Sequence, residues 1–239
     1  MPEQRGLVSC GDRFLMKLTW ATAGLAAAAS AVSYAVWTGV PDPMPIHWSA
    51  SGRADGYASR SLTLMILPAL MALIAALIQV PSKVDANYRR GLDVLMIVVA
   101  ALLFAVHLLV VLTALEAGHK IPMAWLLVLL GVFFIVIGMV LPTMPQNYVF
   151  GVRTPWTLTN ETNWKLTHRF SAWTMIGGGS ICALISVAVP GECALWIGVG
   201  AILMGSLLPV GYSYLLHATQ LDSTLVEAQE PAVDLKKLS

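Results

Sequence analysis

Charged residues are absent from six long stretches of the chain: 18–41, 61–80, 94–115, 121–142, 170–190 and 193–221. Each is 20 to 29 residues long and mostly apolar, and an α-helix needs about 20 residues to cross about 30 Å of hydrocarbon. Every Asp, Glu, Lys and Arg lies in the segments between them. The pattern predicts an all-α polytopic membrane protein with six transmembrane helices, and it leaves no length for a soluble catalytic domain.

Composition agrees. Of 239 residues, 57% are hydrophobic and 11% charged, against about 25% charged in a soluble domain. Fourteen basic and thirteen acidic residues leave a net charge of +1, so no bulk charge draws the chain to nucleic acid and no direct nucleic-acid binding is expected.

The basic residues set the expected orientation, because Lys and Arg are retained on the cytoplasmic side. With the N-terminus inside, the inner segments carry eleven of them: Arg5, Arg13, Lys17, Lys83, Arg89, Arg90, Arg153, Lys165, Arg169, Lys236 and Lys237. The outer segments carry three: Arg53, Arg60 and Lys120. Both termini are therefore expected in the cytoplasm. The organisation expected is a cytosolic N-terminal arm (1–17), a three-helix half (18–115), a second three-helix half (116–216) and a cytosolic tail (217–239). No cleavable signal is apparent before the first apolar stretch. Cys10, Cys182 and Cys193 are too scattered for a disulfide framework or a four-ligand zinc site.

Two loops exceed what connection requires, 39–60 outside and 143–169 inside. Met44-Pro45-Ile46-His47-Trp48, with Arg53 five residues on, echoes Met144-Pro145-Gln146-Asn147-Tyr148 with Arg153 five on. With three helices per half, the copies fall on opposite membrane faces, and a 3+3 inverted repeat is the expectation.

In the inner loop, Gly151 permits a tight backbone and Pro155 forces Thr154 into an extended conformation. Thr159 or Asn160 can cap a short interfacial helix running through Trp164, His168 and Phe170, with Glu161 in its first turn. Trp156, Trp164 and Trp173 are expected at headgroup depth. These residues alone fit two readings, a re-entry that anchors two helices or a surface that receives a partner. In the outer loop, Pro41, Pro43 and Pro45 stiffen the entry, while Gly52, Asp55 and Gly56 supply turns. His47 beside Trp48 sets a titratable group next to an interfacial anchor.

The same residues carry a resemblance. Asn147-Tyr-x-Phe-Gly151-x-Arg153-Thr154-Pro155-Trp156-Thr157-Leu158, then Asn160-Glu161-x-x-Trp164-x-x-Thr167-His168-Arg169, resembles the C-terminal signature of the SdpI-like bacterial immunity proteins. Pro45-Ile-His47-Trp48 followed by Gly52-Arg-Ala-Asp55-Gly56-Tyr57 resembles the N-terminal module of unknown function that those proteins commonly carry. The resemblance implies a six-span protein of the bacterial cytoplasmic (inner) membrane that protects its producer against a secreted peptide toxin and, as in the best-known member, holds a small DNA-binding repressor at the membrane. The outer loop (His47, Trp48, Gly52, Asp55, Gly56, Tyr57) is then the toxin-facing surface, and the inner signature the cytosolic one.

Other chemistry has less support. His47, Asp55, Glu116, His119 and Glu192 fall on the outer side, but no metal-ligand spacing joins them, so no metal and no cofactor are expected. No nucleophile elbow or carboxylate pair suggests an enzyme. His107 is the intramembrane polar residue, expected to face the bundle. Pro68, Pro209 and Gly177-Gly178-Gly179 interrupt spans; such breaks either line a substrate site or let helices pack closely. With the repeat and His107, they make a small secondary transporter or exporter the alternative reading.

Overall fold

A computed structural model describes residues 10–78, 86–116, 120–189 and 191–229. Seven helices and one hairpin follow in order: α1 (Cys10–Val36), β1 (Met44–Trp48), β2 (Ala54–Ala58), α2 (Arg60–Ile78), α3 (Ala86–Leu115), α4 (Met123–Val140), α5 (Pro155–Thr159), α6 (Glu161–Ala188) and α7 (Glu192–Gln229). A 3-10 turn, Leu141–Thr143, ends α4.

Among the described residues, five helices are long and apolar enough to cross a membrane: α2, α3, α4, α6 and α7. Within α1 the stretch Trp20–Val36 is apolar.

The outward faces are apolar, and the interior sets polar side chains among small and apolar ones. Leu62, Ile66, Leu70, Leu73 and Leu77 of α2 are exposed at helical spacing, as are Ile181, Leu184 and Val187 of α6. Buried beside Met44, Leu64, Met71 and Leu127 are Thr22, Ser33, Thr63, His107, Thr113, Asn163, Thr167, Ser171 and Ser213. In hydrocarbon, apolar side chains gain nothing by hiding, whereas small and hydroxylated residues allow close approach and interhelical hydrogen bonds.

α1 packs on α2 and α3, while α6 lies between α4 and α7; the two halves meet along α3 and α4. Close approach marks the second half. A Cβ on Gly179 of α6 would lie 2.5 Å from the Gly131 carbonyl of α4, and one on Gly178 would lie 2.6 Å from the Ala201 carbonyl of α7. Gly177 meets nothing within 4 Å. Two of the three consecutive glycines thus seat neighbouring helices.

Both helix-interrupting prolines are compensated. Pro68 has no N–H for the Leu64 carbonyl one turn earlier; the Ser33 hydroxyl of α1 donates to that carbonyl at 2.7 Å. Pro209 likewise leaves the Gly205 carbonyl free, and the Thr174 hydroxyl of α6 donates to it at 2.7 Å. A freed carbonyl in hydrocarbon must find such a partner.

Two expectations are corrected. The outer loop is a hairpin, not turns alone, so a two-stranded antiparallel sheet joins the helices: Met44 pairs with Ala58, Pro45 with Tyr57, His47 with Gly56 and Trp48 with Ala54. Alternating exposure along β2 is the two-residue period of a strand, but five residues are too short a run to announce it. The helix capped by Asn160 is not a short interfacial piece. The Asn160 Oδ1 accepts from the Asn163 amide at 2.9 Å, and the helix continues without a break to Ala188, because Phe170-Ser171-Ala172 contains no breaker.

Candidate functional site

Outer and inner are used for the two faces as the charge pattern orders them. On the outer face, His47 Nδ1 and Asp55 Oδ1 stand 2.5 Å apart across the hairpin, and both side chains are exposed. Gly56 sits opposite His47, where a Cβ would come within 2.8 Å of the His47 Cβ. Gly52, at φ +77°, closes the hairpin, and its carbonyl accepts from the Ile121 amide at 3.0 Å just before α4. Asp42 Oδ1 accepts from the Arg60 amide at the start of α2, and Arg60 Nη1 donates to the Trp37 carbonyl. The hairpin is thereby fixed to both halves.

Beneath it opens a groove of about 460 Å³, walled by Ile46 and Trp48 of β1, Ile66 of α2, Val110 of α3, and Met123 and Leu126 of α4, with His47 also at its edge. The groove is apolar and lies on the seam between the halves. Of the predicted outer residues, His47 and Trp48 line it. Asp55 acts through His47, Gly52 and Gly56 shape the backbone, and Tyr57 points out, half exposed.

The inner loop is a knot of side-chain-to-backbone hydrogen bonds. Asn147 Oδ1 accepts from the Val149 and Phe150 amides, turning the chain. Thr154 and Thr157 form a reciprocal cap on α5, each hydroxyl accepting the other's amide, and the Thr157 hydroxyl also donates to the Val152 carbonyl at 2.8 Å. Gln146 Nε2 donates to the Thr157 carbonyl.

His168, buried on α6, closes the knot. Its Nδ1 lies 2.8 Å from the Trp164 carbonyl, which can only accept, so Nδ1 carries the proton. Its Nε2 then accepts from the Val152 amide at 3.2 Å. Gly151, at φ +113°, passes over this ring, and a Cβ there would lie 2.1 Å from Nε2. Only glycine meets both conditions. The Trp164 ring stacks on His168 with centroids 3.9 Å apart and donates from Nε1 to the Met144 carbonyl at 2.9 Å.

A second contact reaches α7. Trp156 Nε1 donates to the Ser213 hydroxyl at 2.9 Å, and its ring stacks on His217 and meets Tyr214 edge-on. Asn163 Nδ2 donates to the Ser213 carbonyl and accepts at Oδ1 from Thr167. Of the three tryptophans expected at headgroup depth, Trp173 is exposed and Trp156 half-buried, but Trp164 is 1% exposed. It is a core residue of the knot, because its ring has His168 and its N–H has Met144.

What remains outside is the loop tip. Tyr148 is 78% exposed and Val149 63%, and Arg153 reaches back to donate to the Tyr148 carbonyl at 2.7 Å. Pro155 is exposed beside them, and Glu161 pairs with Lys165 along α6. His107 lies elsewhere, buried between helices with Nε2 3.1 Å from the Ser33 hydroxyl. Among the described residues no group of three His, Cys, Asp or Glu stands together as a metal site; His119 lies outside those residues.

The apolar spans and buried hydroxyls make the chain a multi-pass bacterial membrane protein. Residues 143–213, the inner knot with α6 and its α7 contacts, match the SdpI/YfhL protein family. Residues 24–72, which include the hairpin, match a domain of unknown function. The chain is similar to the Immunity protein SdpI of Bacillus subtilis (strain 168), at 28% identity over 177 residues, 73% of this chain and 84% of that one. No solved structure matches.

The knot accounts for six of the signature residues. Gly151, Thr154, Thr157, Trp164 and His168 build it, and Asn147 turns it. Asn163 and Ser213, as central as any of these, were not predicted. A buried Asn one turn before a Thr on an apolar span was the available signal.

Proposed function

We propose that this protein is an integral membrane immunity protein that gives resistance to a secreted antimicrobial peptide toxin. The observation that carries this is the similarity to Immunity protein SdpI over 73% of the chain. The outer groove gives the reading a place: an apolar cleft with the His47–Asp55 pair on its edge suits a membrane-active peptide, which brings apolar side chains and cationic or polar ones together. The rigid knot holds Tyr148, Val149 and Arg153 out on the other face, a surface suited to a cytosolic partner such as a small DNA-binding repressor. The groove walls α3 and α4 also carry the inner contacts, with Met144 packed on Gly91, so that one seam connects both faces. Toxin engagement outside then alters presentation inside if the seam has two arrangements.

The proposal takes α1 as a sixth span, with both termini cytoplasmic. A helix of 27 residues is about 40 Å long by its rise per residue. An inverted repeat at an offset of 100 residues is part of the same reading: Val40, Met44 and Leu64 are buried in the first half, as are Val140, Met144 and Trp164 in the second. Transport is the weaker reading, since His107 is bonded to Ser33 and does not line the outer groove. The test is survival of a sensitive bacterial strain expressing the protein under challenge with a panel of membrane-active peptide toxins. Protection against a member of the panel supports immunity; none, with membrane insertion verified, removes it.

A further inference from the structure

We propose that the groove at the inner end of the seam binds a zwitterionic phospholipid of the phosphatidylethanolamine type. This groove encloses about 900 Å³ where α3, α4 and α6 meet the 142–146 segment, within the range of about 300–1,000 Å³ typical of small-molecule sites. Its character changes along its length. Val94, Val136 and Met139 form an apolar wall within the spans, and Met139 is 55% exposed, so the wall opens sideways onto hydrocarbon. The other end is edged by Gln146, Glu161 and Lys165 at the first turns of α6. An apolar trough leading from the acyl region to a polar mouth matches a lipid's own axis.

The mouth selects the headgroup. Glu161 and Lys165 are 2.7 Å apart, both more than two-thirds exposed, so each has free capacity. A phosphate can join Lys165 while a primary ammonium donates to Glu161. An anionic headgroup satisfies Lys165 but faces Glu161, and a trimethylammonium group has no N–H to give it. A cytosolic peptide is the poorer occupant, because most of the wall lies at the depth of the spans. The site is independent of the immunity reading.

The test uses the full chain reconstituted in bilayers of equal phosphatidylethanolamine, phosphatidylglycerol and phosphatidylcholine, then extracted in mild detergent. Retained lipid is quantified by mass spectrometry. The ethanolamine lipid should be enriched about two- to fivefold, the range that one partly exposed charge pair supplies. Glu161→Gln should move the preference to phosphatidylglycerol, Lys165→Gln should abolish selectivity, and Val94→Trp should reduce retention by filling the trough. The two exposed α6 variants carry the test if Val94→Trp does not fold. Bulk proportions on the wild-type protein, or unchanged selectivity in Glu161→Gln, overturn the proposal.

Discussion

The Ser33 hydroxyl donates to the Leu64 carbonyl at 2.7 Å, the carbonyl that Pro68 leaves without an amide partner. His107 adds its Nε2 to the same hydroxyl at 3.1 Å, so one serine joins all three helices of the first half. The second half repeats the device with Thr174 and the Gly205 carbonyl above Pro209. The prolines therefore mark packing contacts between helices rather than openings.

Ser33→Ala should lower stability by about 1–2 kcal/mol, because it strands a carbonyl and an imidazole nitrogen in an apolar interior. Pro68→Ala restores the amide that Leu64 lacks. In that background the serine change should cost at least about 0.5 kcal/mol less, a coupling readable by thermal unfolding in detergent. Strict additivity would mean that Ser33 does not serve the proline-freed carbonyl.

Gly177 and Gly179 are neighbours with opposite expectations. Gly179→Ala pushes a methyl group against the Gly131 carbonyl and should cost about 1–3 kcal/mol as α4 and α6 separate. Gly177→Ala meets nothing within 4 Å and should be neutral or stabilising by up to about 1 kcal/mol through helix propensity. Equal effects in unfolding experiments would contradict the packing described.

Gly151→Ala should untie the inner knot, since the new methyl group overlaps His168 Nε2 and the backbone is held at φ +113°. Limited trypsin digestion of inside-out vesicles reads this out at Arg153, Lys165 and Arg169. Cleavage should become at least several-fold faster while the amount of inserted protein is unchanged. Wild-type digestion would show that the loop does not depend on this contact.

Arg153→Ala should leave insertion intact, because the side chain is exposed and donates only back to its own loop, to the Tyr148 carbonyl at 2.7 Å. Under the proposed function it should abolish recruitment of a cytosolic partner, measured by co-purification from membranes of the native host. Recruitment equal to wild type would reduce the inner loop to an anchor.

The spans were legible because the bilayer excludes charge, and the places where Asp, Glu, Lys and Arg stop give their positions directly. The loop residues were legible as a pattern but not as contacts. His168 and Gly151 are 17 positions apart, and nothing in the spacing says that one packs on the other. Trp164 illustrates the same limit: an interfacial tryptophan and a buried one look alike until Met144 and His168 are seen to satisfy its ring and N–H. The hairpin escaped because its strands are five residues each and interrupted by Pro45 and Gly56. The roles of Ser33 and Thr174 were readable in principle, since each proline names a carbonyl four residues earlier that needs a donor. Which helix supplies that donor is decided only by packing.

The central claim is that the outer groove and hairpin confer resistance. It is tested most directly by survival under a protective toxin from the panel, comparing wild type with His47→Ala, Asp55→Asn and Val110→Trp at matched membrane levels. The account predicts that losing the exposed His47–Asp55 pair changes stability by less than about 1 kcal/mol yet weakens protection, and that filling the groove with Val110→Trp removes it. Full protection by all three variants would contradict the account.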